Sequence, residues 1–106
     1  MRQETIDRIR RFSEERDWEQ FHTPENLAKS IVIEASELLE CFQWDAEHFD
    51  RGHAAEELAD VLVYCRNMLD ALGFDEDEIV SRKMDQNEAK YPVEKARGRN
   101  TKYTEL

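Results

Sequence analysis

Apolar residues recur along this chain at helical spacing in successive stretches separated by polar breaks. Ile6, Ile9 and Phe12 stand on one face with Arg and Glu elsewhere, predicting a helix over residues 4–16. Residues 17–22 break that period and read as a loop rich in aromatics, with Trp18 and Phe21. Thr23-Pro24 is a helix start, an N-cap hydroxyl followed by proline at the first helical position. Leu27, Ile31, Ala35, Leu38 and Phe42 then form one stripe, widened by Ala28, Val32 and Leu39. They predict a helix from 24 to about 43. Trp44-Asp45 ends it, and a polar connection leads past His48 towards His53. Leu58, Leu62, Cys65, Leu69 and Leu72 mark a third helix over about 54–72. Val61, Val63 and Tyr64 carry its apolar character well round the cylinder, and a helix apolar on most sides is buried on most sides. Gly73 is its expected C-cap. Asp75 with Glu78 resembles a capping box that opens a fourth helix, running to about residue 90 ahead of Pro92. Residues 93–106 are polar and basic, without a clear period.

With 106 residues, and Gly and Pro together numbering only five, the expected fold is all-α: one domain over 1–106, a four-helix-type bundle. A domain of this size buries roughly 60–70% of its unfolded surface, so its core is thin. The apolar excess of the third helix therefore predicts self-association through the helices. Cys41 and Cys65 lie in apolar helical runs and read as small core hydrophobes, not as a disulfide framework. No stretch approaches a membrane span, and the expected compartment is the cytoplasm.

Charge changes the picture further. The net charge of −10 is uneven: residues 82–106 hold seven basic and four acidic side chains, net +3, while residues 1–81 hold eight basic and 21 acidic, net −13. An acidic chain is a poor partner for a nucleic-acid polymer, which needs an extended basic surface. A small anion could still be held if a cation joined it to the acids and the basic part took its far end. The acids have a pattern that suits this. Glu34 and Glu37 are three apart on the second helix, and Glu57 and Asp60 repeat the spacing on the third, so each pair shares a face. Clustered carboxylates repel unless a cation binds, and carboxylate oxygens are the ligands Mg²⁺ and Mn²⁺ prefer. Spacing alone leaves a solvated acidic face as the commoner reading in a chain with 25 acids.

Glu34-x-x-Glu37, nineteen residues, then Glu57-x-x-Asp60 resembles the metal motif of the all-α nucleoside triphosphate pyrophosphohydrolases, the MazG-like superfamily. The runs ERDWEQFHTPENL (15–27), EASELLECFQW (34–44), EELADVLVY (56–64), KMDQNEAKYP (83–92) and the terminal KYTEL resemble the dCTP pyrophosphatase branch. Together they span nearly the whole chain. The resemblance implies that Glu34, Glu37, Glu57 and Asp60 bind Mg²⁺, or Mn²⁺, and act in catalysis. It implies that Lys83 and Asn87, one turn apart, reach the triphosphate, and that Tyr64 lies beside the phosphates or sugar. Trp18 and Trp44 resemble the aromatics that enclose the base. His22 lies within the first run without an assigned role. The chain lacks the extra N-terminal segment of the animal members, which bears on base preference more than on reaction type.

The expected activity is metal-dependent hydrolysis of a (deoxy)nucleoside triphosphate, dCTP or a dCTP-like nucleotide, to monophosphate and pyrophosphate. Its cellular use would be to clear unwanted nucleotides. The resemblance also implies a homotetramer built from dimers, with a homodimer as the smaller option. Two alternatives remain: a phosphoribosyl-ATP pyrophosphohydrolase, and a non-catalytic helical module that binds a divalent ion.

Overall fold

The predicted periods are realised as helices whose ends are set by identifiable caps. A computed structural model describes all residues, 1–106, as α1 (Gln3–Glu15), α2 (Pro24–Glu40), α3 (Arg51–Leu72), α4 (Glu76–Lys90) and α5 (Val93–Ala96). Short 3-10 turns form at Glu19–Phe21 and Tyr103–Glu105, and there are no strands. The chain folds as two compact units, Met1–Gly73 and Phe74–Leu106.

In the first unit, α1 ends in a Schellman motif. Asp17 takes the left-handed conformation (φ 53°), the Trp18 amide donates to the Ser13 carbonyl (2.9 Å), and the Asp17 amide donates to Glu14 (3.1 Å). The motif turns Trp18 back onto Phe12, with the rings edge to face at 5.5 Å. The aromatic segment predicted as a loop thus contains a 3-10 turn. Its carbonyl at Phe21 accepts from the Asn26 side chain (3.1 Å), while Thr23 caps α2 by accepting from the Asn26 amide (3.2 Å). The N-terminal signal of α2 is realised as read. Its C-terminus falls three residues before the expected position 43. Cys41, Phe42 and Gln43 continue with i→i+3 bonds, which tighten the last turn out of α geometry.

Asp50, which the apolar period did not reveal, caps α3 by accepting from the His53 amide (3.1 Å). The helix therefore starts three residues earlier than its apolar residues indicate. Gly73, left-handed at φ 70°, closes it as expected. α3 packs mainly on α2 and also on α1. The α1–α3 contact includes a fork: two nitrogens of Arg10 donate to the two oxygens of Asp70 at 2.9 and 2.8 Å, and Arg66 adds a third bond at 3.2 Å. Arg10 first, and Arg66 after it, hold the Asp70 carboxyl below the usual carboxylate range. The apolar core is thin. Ile6 and Leu27 are buried, but Val32, Ile33 and Leu39 on α2 and Leu58 and Leu62 on α3 are exposed, Leu62 by half. The unspent apolar surface lies on α2 as well as on α3.

In the second unit, Asp75 caps α4 by accepting from the Glu78 amide (2.9 Å). This is half of the expected capping box, since Glu78 turns away to accept from Arg82 (3.0 Å). The tail, read as lacking a period, holds the single turn of α5 and a 3-10 turn. Tyr103 meets Tyr91 edge to face at 6.0 Å, with the Lys90 ammonium 4.8 Å from its ring centre.

Candidate functional site

The packing of α3 on α2 brings acids of both helices together. Ligand oxygens of Glu34, Glu37 and Glu57 all lie within 4.8 Å of one another. Asp60, one turn beyond Glu57 on α3, lies outside that trio, yet its charge acts on Glu34. One oxygen of Glu34 and one of Glu57 are fully buried without a hydrogen-bond partner. An orphaned buried carboxylate oxygen is costly, and one on each of two facing helices gives a hard cation the donor set it needs. The electrostatics agree. Burial, then the hydrogen bond and charge of Glu37, then the charges of Asp60 and Glu57, push Glu34 up to about 7. Such a group holds a proton where a cation would otherwise sit.

His53 was not a candidate in the sequence. Its ring Nε2 lies 3.0 Å from the other oxygen of Glu57. The early start of α3 accounts for this, since it places His53 one helical turn before Glu57. The readable signal was Asp50, an N-cap residue three positions upstream.

Beside the acids lies a cavity of about 490 Å³. Phe12 and Ile9 of α1, Trp18, and Val63 and Tyr64 of α3 form its largely apolar wall. Asp60 lines it on the side of the acids, and His22, Ser13 and Asn67 contribute polar groups. Along α3, Asp60, Tyr64 and Asn67 follow at i, i+4 and i+7, so one helical face serves the whole length of the cavity. Of the residues predicted to touch substrate, Trp18 and Tyr64 line it. Trp44, 89% exposed beyond the end of α2, does not. Lys83 and Asn87 belong to α4, one turn apart, Lys83 exposed and Asn87 half-buried. Ser13 and Asn67 were missed because both sit inside apolar periods, where a single polar residue does not disturb the pattern. Both are buried.

Residues 29–106 match the model of the MazG-like family. The chain belongs to that family. Among curated relatives, dCTP pyrophosphatase 1 of Rattus norvegicus is 44% identical over 96% of this chain and 68% of its own length. The Homo sapiens protein of the same name is 43% identical over the same shares. The fold is similar to the crystal structure of a pyrophosphatase from Archaeoglobus fulgidus, with a TM-score of 0.79 and 45% identity. That match covers 84% of this chain and 90% of the archaeal one. The all-α expectation and the resemblance drawn from the acid motif are both borne out.

Proposed function

We propose that this MazG-like chain is a nucleoside triphosphate pyrophosphohydrolase acting on dCTP or a dCTP-like nucleotide, and that 1–106 form one catalytic domain. The observation that carries the reading is the meeting of Glu34, Glu37 and Glu57, with two buried oxygens left unpartnered, beside a cavity that shares Asp60. A triphosphate cannot approach such a cluster unaided, because both are anionic. Glu34, Glu37, Glu57 and Asp60 would hold Mg²⁺ or Mn²⁺, which neutralises phosphate charge and lowers the pKa of bound water. The protein groups do the rest. A carboxylate of the cluster orients the attacking water and takes its proton, Tyr64 flanks the phosphates or sugar, and Trp18 offers a face to the base. By the resemblance, Lys83 and Asn87, one turn apart on α4, would offer a cation and an amide donor to a triphosphate. Water adds to the α-phosphorus, the bond from that phosphorus to the bridging oxygen breaks, and the electron pair leaves on pyrophosphate.

The exposed apolar residues of α2 and α3 support self-association, as a homotetramer of two dimers or as a homodimer. No helix is long and apolar enough to cross a membrane. Both cysteines are free, which suits a reducing cytoplasm.

The test is a panel of canonical and modified triphosphates with phosphoribosyl-ATP, incubated with Mg²⁺ and scored for pyrophosphate. dCTP or a close relative should lead, giving dCMP and pyrophosphate in equal amounts. Early dCDP and orthophosphate would refute the cleavage site. Preference for phosphoribosyl-ATP would move the chain to that activity, and no turnover of anything would leave it an ion-binding module.

A further inference from the structure

The side chain of Asn67 is out of place by every structural criterion except one. It lies on α3 among apolar neighbours, is only 8% exposed, and borders both the aromatic-walled cavity and a smaller polar one of about 280 Å³. Its neighbours on α3 are spoken for: Arg66 bonds to Asp70, and Asp70 to Arg10. The Asn67 carboxamide itself has no hydrogen-bond partner within the protein, and its polar atoms keep access to the cavities. An amide so placed has its donors and acceptor open only to the cavities, where an apolar residue would have kept the pattern of the helix. The exception is a ligand that enters the cavity and pairs with them.

The place of Asn67 on α3 says which part of a ligand that would be. Seven residues at the helical rise separate it from Asp60 by about 10 Å. Tyr64 stands between them, and all three line one cavity. With phosphates at the Asp60 end, the sugar falls near Tyr64, and the far edge of a base held by Trp18 and Phe12 reaches Asn67. We infer that Asn67 is a specificity-determining residue whose carboxamide pairs with the base edge at positions 3 and 4 of a bound pyrimidine. This rests on the pyrophosphohydrolase reading and deepens it. Against cytosine, the amide oxygen accepts from the 4-amino group while the amide nitrogen donates to N3. Turned over, the same group would serve uracil or thymine, so Asn67 reads the presence of a paired donor and acceptor.

The experiment compares dCMP with the monophosphate of 2-pyrimidinone deoxyriboside, which keeps N3 but lacks the 4-amino group. Dissociation constants are read from the fluorescence of the intact protein, in which Trp18 lines the cavity, and kcat/KM from the two triphosphates. The unsubstituted chain should favour the cytosine nucleotide by about tenfold, the scale of one net hydrogen bond to the 4-amino group. Asn67→Ala should bring that ratio close to one. Asn67→Asp is a near-isosteric second variant. It keeps the acceptor for the 4-amino group but sets a carboxylate against N3, and it should weaken dCMP binding by about tenfold. Equal losses on both ligands in both variants would make Asn67 merely structural, and unchanged ratios would overturn the assignment as well. Absence of dCMP binding in the unsubstituted chain would also sink it. If dCMP binds as expected but no triphosphate is hydrolysed, the catalytic reading fails while the binding ratios still decide the role of Asn67.

Discussion

Replacing Glu34 by Gln separates the acid cluster as a cation site from the same cluster as a strained acidic face. Glu34 carries a buried, unpartnered oxygen and is pushed from 4.5 up to about 7, chiefly by burial and then by Glu37. Its folded pKa lies above its unfolded one. The stabilisation from its proton is therefore complete below about pH 4.5 and is lost as pH rises through about 7. A divalent ion competes with that proton. With a pKa of about 7, only about 3% of Glu34 is ionised at pH 5.5, against about 90% at pH 8. Affinity for Mn²⁺ or Mg²⁺ should thus be weaker by roughly thirtyfold at pH 5.5 than at pH 8. Binding should release about 0.9 proton per ion at pH 6 and about 0.1 at pH 8. Titration calorimetry with Mn²⁺ in buffers of different ionisation enthalpy measures both quantities. Glu34→Gln keeps the shape and cannot ionise. Its affinity should be at least about tenfold lower at pH 8, nearly flat from pH 5.5 to 8, and free of proton release. In chelator, the variant should melt higher than the unsubstituted protein, by a margin larger at pH 8 than at pH 5.5. An affinity in the unsubstituted protein that ignores pH, with no proton released, would falsify this account.

Glu37→Gln and Asp60→Asn should each lower kcat for dCTP by orders of magnitude with the helical circular dichroism intact, and excess chelator should abolish turnover; full activity with chelator present removes the metal from the mechanism. Trp44 lies outside the cavity of its own chain and would reach a base only across the proposed self-association; Trp44→Ala should then raise KM for dCTP by about tenfold, the scale of a lost aromatic–base stack, with the fold intact because the ring is 89% exposed; an unchanged KM takes Trp44 out of base recognition. Light scattering at micromolar concentration should give a dimer or tetramer, and Leu62→Glu should drive it towards monomer; a monomeric unsubstituted protein contradicts the assembly. Asp17→Val should destabilise by about 1–2 kcal/mol, because a β-branched residue resists the left-handed turn that ends α1, and Asp17→Gly should not. Equal melting temperatures for the two would show that the Schellman turn is not what holds Trp18 in place.

Several features of this protein are local, and these were legible in the order of residues. Helix periods need only the spacing of apolar side chains, so α1 to α4 could be drawn from Ile6, Leu27, Leu58 and their repeats. Caps such as Thr23-Pro24, Gly73 and Asp75 act within a few residues of themselves. The pairing of Glu34 with Glu37, and of Glu57 with Asp60, follows from the helical turn. The order of the matching runs carried the family. Properties that depend on one helix meeting another were decided only by the tertiary structure. The packing of α3 on α2 drew Glu57 against Glu34 and Glu37 and left Asp60 one turn aside, facing the cavity. The cap at Asp50 set where α3 begins, and so brought His53 to Glu57. The close approach of α1 and α3 buried Ser13 and Asn67, which no period distinguishes from polar residues facing water. Desolvation is the common reason. A side chain's charge, its unmet hydrogen bonds and its affinity for a ligand depend on what surrounds it, and those surroundings come from distant parts of the chain.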